Sequence, residues 1–200
     1  RGFTLDIGSG RQTVRPFLNP SVTYLPLDYY ETAVSRYQFL PDLFADAQAL
    51  PLKANSFDTI LILDVLEHLP RPADCMAEMA RTLKAAGQII AQEPYLYPLP
   101  DAPNDFQRWT EHGLTRLAEQ ANLTVDKIEP VGSAVETACL LFNLAVSHTV
   151  LGWLKQKNPL LILAVLLPFI ILFNNLLGWL ASPLTKTFMP HGYRLYLTKS

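Results

Sequence analysis

The sequence predicts an α/β fold, a doubly wound parallel sheet with helices on both faces, carrying an apolar helical insert ahead of its last strand. Three observations lead there. Short apolar runs alternate with helix-period segments up to about residue 131. The run Phe57–Leu63, FDTILIL, is nearly continuous in apolar character, as a strand buried on both faces requires. From Leu160 to Leu180 there is no charge, and the only polar residues are Asn174 and Asn175.

The elements follow in order. Phe3 to Ile7 is a first strand, running into the glycine turn of LDIGSG (residues 5–10). Val22 to Leu27 is a second strand, and Leu43 to Ala45 a short third. After the fourth strand, Asp74 to Lys84 places Met76, Met79, Ala80 and Leu83 at i, i+3, i+4 and i+7, one apolar helix face. Gln88 to Gln92 is a fifth strand, entered through Gly87. Thr110 to Asn122 repeats the helical period with Leu114, Leu117, Ala118 and Ala121, and Thr110 suits an N-cap. The closing HGYRLYLTKS alternates Tyr193, Leu195 and Leu197 against Arg194, Tyr196 and Thr198, a final strand. Crossovers between parallel strands are expected to be right-handed. The predicted division is residues 1–133 and 185–200 as the α/β domain, with 134–184 as the insert.

Bulk composition sets limits. Charged residues make up 17% of the chain, against about 25% in ordinary soluble domains. The net charge of -2 gives no footprint for nucleic acid. Cys75 and Cys139 form no CxxC pair and no His/Cys cluster, so neither a metal site nor a disulfide framework is expected. A reducing, cytoplasmic setting is the expectation. There is no signal peptide and no initiator Met, so an N-terminal segment is expected to be missing.

The glycine turn raises the functional question. Gly8 and Gly10 permit a sharp turn and close approach of a ligand, and a following helix would offer N–H groups and a positive dipole end. A nucleoside site and an ordinary strand-to-helix turn both fit this pattern. A dinucleotide fingerprint would need a third glycine at position 13, where Thr13 stands, and the Gly-Lys-Ser/Thr of a phosphate loop is absent. Asp28, about 20 positions on at the end of the second strand, suits a carboxylate accepting both ribose hydroxyls.

The segment DAQALPLKANSFDTILILDVLEHLPRP, residues 46–72, extends the pattern: Asp-Ala-x-x-Leu-Pro, Ser-Phe-Asp, an apolar strand, then Glu-His-Leu. Together with LDIGSG, Asp28 and RTLKAAGQII, it resembles the class I S-adenosylmethionine-dependent methyltransferases, specifically the type 11 family. The resemblance covers about residues 4–131 and the final strand. It departs from the family at Gln12, where a glycine is frequent, and at Ala85 and Ala86, where Pro-Gly is usual. It implies a Rossmann-like, mostly parallel sheet with an antiparallel last strand. It also implies S-adenosylmethionine as cofactor, with Asp6, Gly8, Ser9 and Gly10 around the methionine part. Asp28 would hold the ribose, Tyr29 would pack on the adenine, Asp46 and the Ala47 N–H would read the adenine edge, and Asp64 and Val65 would complete the pocket.

Methyl transfer from a sulfonium is an in-line displacement in which the protein mainly aligns the acceptor. A hydroxyl acceptor also needs a base, and His68, just beyond the cofactor edge, is the first candidate, ahead of His112. A helix-end histidine that only packs is the plainer reading of His68. The loop of residues 93–114, rich in proline and aromatics, reads as an acceptor-binding loop in which Tyr95, Arg108 and Trp109 line the acceptor side. The alternative is that Asp105 and Arg108 pair to brace it.

Pro159 to Ala181 would be about 34 Å long as a helix, enough to cross a bilayer core. The fold brings both ends of the insert back to one sheet, so one crossing is excluded. A second leg over Ala134 to Leu154 carries Glu136, Asn143 and His148. Helices lying in the membrane interface or forming an apolar acceptor funnel are therefore expected, with a homodimer interface, a buried cap or a hairpin of two crossings as alternatives. The resulting expectation is a methyltransferase, peripheral at the membrane, acting by O- or C-methylation on a hydrophobic small molecule or lipid. Its rivals are a nicotinamide-binding Rossmann enzyme and a non-catalytic membrane-docking module.

Overall fold

The computed structural model describes residues 2–99 and 102–199. Pro100 and Asp101 of the proline-rich loop, and Ser200 of the last strand, lie outside the described residues. Two compact units are present. One comprises Arg1–Tyr95, Leu99–Glu129 and Tyr193–Ser200; the other comprises Leu96–Pro98 and Pro130–Gly192.

The first unit is built on a seven-stranded sheet. Its strands are β1 (Phe3–Ile7), β2 (Thr23–Asp28), β3 (Leu43–Phe44), β4 (Phe57–Leu63), β5 (Leu83–Pro94), β6 (Leu123–Val131) and β7 (Gly192–Lys199). Their order is β3-β2-β1-β4-β5-β7-β6. β1 runs parallel to β2 and β4, β2 to β3, and β4 to β5, and the C-terminal strands are antiparallel. This is the doubly wound, Rossmann-like sheet the sequence predicts. The order reverses between β1 and β4, and in such sheets ligands bind at the carboxyl ends of the strands flanking that point.

The central strands are apolar because both their faces are covered. Leu5, Ile7, Ile60, Ile62 and Ile89 are fully or almost fully buried. Helix α2 (Pro72–Thr82) buries Cys75, Met76 and Met79, and α3 (Glu111–Gln120) buries Leu114, Leu117 and Ala118. Burying one such side chain is worth ~1.5–3 kcal/mol. Thr110 caps α3 as expected, its Oγ1 accepting from the Gly113 N–H at 3.1 Å.

Three local features depart from expectation. No α-helix follows the glycine turn: residues 11–14 form turns, and Arg15–Phe17 a single 3-10 turn. Pro16 and Pro20 in this short stretch leave little room for a helix before β2. After β2 the helix α1 is only Tyr30–Thr32, widening into a π turn over Ala33–Tyr37. Finally, β6 is a sheet edge carrying Asp126, Lys127 and Glu129, mostly exposed, so its apolar alternation is weak.

In the second unit, Ser133 and Glu136 form a reciprocal capping box that starts α4 (Ala134–Lys155). A 3-10 segment, Pro159–Leu166, leads into α5 (Leu167–Ala181). The two helices pair antiparallel, with Cys139 against Gly178 and Asn143 bonded to Asn174 and Asn175.

Candidate active site

A cavity of about 1260 Å³ opens at the carboxyl ends of β1, β2 and β4. Asp6, Gly8, Ser9, Gly10, Asp28, Tyr29, Asp46, Ala47, Asp64, Val65 and His68 all line it. Residues from four separate stretches of sequence thus meet in one place, as the strand order requires.

The glycine turn is shaped by its own hydrogen bonds. Gly8 and Ser9 both donate their N–H to the Leu27 carbonyl, at 2.9 and 3.0 Å, and the Gly10 N–H donates to Asp28 Oδ2 at 2.8 Å. These donors are therefore engaged within the protein, and with no helix behind them they do not form a phosphate cradle. Gly8 sits at φ +71°, and a Cβ there would run into Val65 Cγ2. Only glycine lets β1 and the residue after β4 approach this closely. Gln12, buried, and Asp64, at the end of β4, also adopt left-handed backbone, at φ 55° and 54°. Such conformations in non-glycine residues gather at ligand sites.

The charge of the cavity is set by buried carboxyls. Asp6 is 3% exposed. Burial, partly offset by the hydrogen bond it accepts from Tyr24 and reinforced by nearby Asp28, pushes its pKa up to about 6. Burial also raises Asp28, against the N–H groups of Gly10 and Tyr29 that hold it down. The Tyr29 N–H reaches Asp28 Oδ1 at 2.8 Å, so each carboxylate oxygen has one protein partner and a lone pair left for a hydroxyl. Asp46 accepts from the Gln48 N–H at 2.8 Å, which fixes the turn presenting Ala47. Ser9 Oγ is buried with no partner among the described residues.

Beneath the site lies a feature the sequence reading missed. Glu67 and Glu93 are 3% and 0% exposed. Burial first, and then the charge of Glu67, raises Glu93 well above the usual carboxylate range; Glu67 is raised too, by burial. Burial and mutual repulsion thus favour a proton held on this pair over two adjacent buried charges. The signal was available: Glu93 falls in phase with the apolar Ile89 and Ala91 of β5, and Glu67 stands beside Leu66 in the turn after β4. His68 Nδ1 donates to the Asn104 carbonyl at 2.7 Å, and Nε2 stands 3.7 Å from Glu67 Oε1.

The acceptor-side expectation meets a different arrangement. Tyr95, Arg108 and Trp109 do not line the cavity; Ala102, Asn104 and Phe106 of the same loop do. Arg108 Nη2 donates to Asp105 Oδ2 at 2.8 Å, and the Asp105 side chain is 1% exposed, so this pair braces the loop. Tyr95 packs on Tyr193 with ring centroids 5.6 Å apart, and Trp109 packs on the core. His112 is exposed beside Glu111 and also lies outside the cavity. Arg36 and Tyr37 of the π turn and Gln92 of β5 also line the cavity but did not stand out in the sequence, because no motif marks them. No cluster of metal-ligating side chains occurs among the described residues.

Residues 5–91 match the family model of the methyltransferase domain. The demethylmenaquinone methyltransferase of Renibacterium salmoninarum is 29% identical over 94 residues, covering 44% of this chain and 40% of the relative. The ubiquinone biosynthesis O-methyltransferase of Dechloromonas aromatica is 29% identical over 91 residues, 37% of this chain and 39% of the relative. The chain therefore spans well under half the length of these relatives. Among solved structures, a phosphoethanolamine N-methyltransferase of Haemonchus contortus, complexed with phosphomonomethylethanolamine and S-adenosylhomocysteine, superposes with a TM-score of 0.56 at 15% identity. It covers 98% of this chain and 48% of its own.

Proposed function

We propose, starting from the match of residues 5–91 to the model of the methyltransferase domain, that the chain transfers a methyl group from S-adenosylmethionine to a small hydrophobic or lipid-like acceptor. The observation that carries the reading is the donor set of the cavity. It presents two buried carboxylates, Asp6 and Asp28, together with an unpartnered Ser9 Oγ and a glycine turn whose N–H groups are already engaged. That set suits a cationic ligand bearing a ribose, and it suits a dinucleotide pyrophosphate poorly.

The residues divide the work. Asp6 and Ser9 take the ammonium and carboxylate of the methionine part. The open lone pairs of Asp28 accept the ribose hydroxyls, and charge-assisted bonds of this kind are worth ~1.5–3 kcal/mol each. Tyr29, Asp46 and Ala47 flank the adenine, while Asp64 and Val65 close the pocket against the turn. When bound, the cofactor supplies a sulfonium-activated methyl group. The protein's remaining tasks are to align the acceptor and, for a hydroxyl, to take its proton.

His68 is assigned that proton. Its Nδ1–H is tied to the Asn104 carbonyl, which sets the neutral tautomer with Nε2 as the accepting nitrogen. Asn104 and Phe106 border the acceptor end, and Arg108 acts through Asp105 by holding their loop. Tyr95 and Trp109 back that loop from the core, and Trp109 Nε1 is buried without a partner among the described residues.

A hydrophobic acceptor is supported by relatives named for quinone methylation and by the apolar insert. The free, buried cysteines agree with a catalytic unit in the reducing cytoplasm. The test is incubation of the protein with methyl-labelled S-adenosylmethionine and a whole-cell extract, followed by solvent partition. Label in the organic phase is expected. Label confined to the aqueous phase would exclude a lipid acceptor, and cofactor binding without any transfer would leave only the docking-module reading.

A further inference from the structure

We propose that the α4/α5 hairpin is a membrane anchor that crosses a lipid bilayer twice, its polar tip reaching the opposite headgroup layer. This inference stands apart from the reaction and would hold for any chemistry in the cavity.

The outward side of α5 is apolar. Ile162, Phe169, Leu172, Phe173 and Trp179 are between 68% and 78% exposed, and Leu176 and Leu180 are at least half exposed. In α5, Phe169, Leu172, Phe173, Leu176, Trp179 and Leu180 share the face turned away from α4, with no polar residue among them, and Ile162 extends it into the preceding 3-10 segment. A helix pair meant for water carries its polar residues there; an apolar outer face needs an apolar surround.

Inside the hairpin, Asn143 Nδ2 donates to Asn175 Oδ1 at 2.7 Å, and Asn174 Nδ2 donates both to Asn143 Oδ1 and to the Cys139 carbonyl, each at 2.9 Å. Thr149 Oγ1 donates to the Ala145 carbonyl at 2.9 Å. Gly178 lets α5 approach α4 at Cys139. Polar side chains satisfied across the helix pair, with a small residue at the contact, are what hydrocarbon demands of two packed helices. The polar residues that made α4 a poor span on sequence alone are thus accounted for. Asn143 is paired, and Glu136 belongs to the capping box at the helix start. Of these three residues, His148 alone is exposed, about two turns from Lys155.

The 22 residues of α4 give about 33 Å, matching a ~30 Å hydrocarbon core. The insert's two ends are tied together by hydrogen bonds from His191 N–H to the Val131 carbonyl and from Ala134 N–H to the Lys186 carbonyl, at 3.0 and 3.2 Å. Both legs therefore begin on one side. At the far end, Trp153, Lys155 and Lys157 gather around the turn; near the base stand Trp179 and Lys186. Indole rings and ammonium groups at both ends of an apolar span fit the two headgroup layers, and the lysines complement anionic lipid. A protein partner would explain one apolar face, but it would not explain this matched pair of ends.

The test uses the full chain in isolated, sealed membrane vesicles. After an alkaline carbonate wash, the protein should stay with the membrane. Cys75 and Cys139 are both buried, so an introduced thiol can be read with a membrane-impermeant maleimide. Gln156→Cys, at the tip, should label only from the face opposite to that which labels Gln120→Cys on α3. Ile162→Lys combined with Phe173→Lys changes positions that are already exposed, so in water it should leave folding intact. In a bilayer it should cut the carbonate-resistant fraction at least tenfold. Release of the unmodified protein by carbonate would overturn the proposal. So would labelling of Gln156→Cys and Gln120→Cys from the same face, or a lysine variant retained like the parent. A carbonate-released protein that forms a dimer would identify a second copy of the chain as the occupant of the apolar face.

Discussion

Asp6 should make cofactor binding depend on pH in a way that follows from its burial. In the free protein its pKa is about 6, raised mainly by desolvation. A cationic ligand beside the carboxyl favours the ionised form, so binding must release the proton Asp6 holds below that pH. Affinity should rise with pH by about a factor of 10 between pH 5 and pH 7 and flatten above, as a single group with a pKa of about 6 dictates. S-adenosylhomocysteine is the ligand to use, since its ammonium stays charged across this range. Isothermal titration in buffers of different ionisation heats should find close to one proton released at pH 5 and almost none at pH 7. Asp6→Asn should bind more weakly at pH 7 and lose the dependence. The free fold responds oppositely. A folded pKa raised from 3.8 to about 6 gives a stability contribution that is present below the unfolded value and lost as pH rises through 6, at a cost of ~3 kcal/mol at neutral pH. Ligand should therefore raise the melting temperature more at pH 7 than at pH 5. A flat affinity from pH 5 to 7, or the same slope in Asp6→Asn, would refute the reasoning.

Four further outcomes are expected. Gly8→Ala should destabilise the protein by ~1–3 kcal/mol in thermal unfolding, from its φ of +71° and the clash with Val65; adding Val65→Ala should recover part of the loss. Arg108→Ala should cost ~3 kcal/mol in urea unfolding by stranding the buried Asp105 carboxylate, and the Asp105→Ala/Arg108→Ala pair should cost less. Glu93→Gln mimics the protonated acid. Because a raised carboxyl pKa loses stability as pH climbs through it, this variant should melt with a weaker dependence on rising pH than the parent. His68→Gln should lower kcat at least tenfold on a hydroxyl acceptor while cofactor affinity stays within twofold.

Much of the fold was legible because its signals are local. The alternation of β1, the nearly continuous apolar run of β4 and the 3.6-residue periods of α2 and α3 each follow from which faces are buried. β6 was hidden because an edge strand with Asp126, Lys127 and Glu129 does not alternate cleanly. The helix expected after the glycine turn was inferred from the usual course of such turns, while Pro16 and Pro20 argued against it in the sequence itself. At the cavity, the lining residues with a motif were found, since strand ends at a switch point converge by topology. The loop contacts were not. Whether Arg108 faces a ligand or Asp105 is a rotamer choice, and the Glu67–Glu93 pair joins a turn and a strand end 26 positions apart in the chain. The capping box that starts α4 was readable in SAVE, residues 133–136, directly before an apolar run.

The claim on which the rest depends is that the cavity at β1, β2 and β4 holds S-adenosylmethionine. Calorimetric titration of the protein with S-adenosylhomocysteine, and separately with NAD, tests it most directly. The account predicts one saturable site for S-adenosylhomocysteine, weakened at least tenfold by Asp28→Ala, and no heat from NAD. Binding of NAD with none of S-adenosylhomocysteine would contradict it.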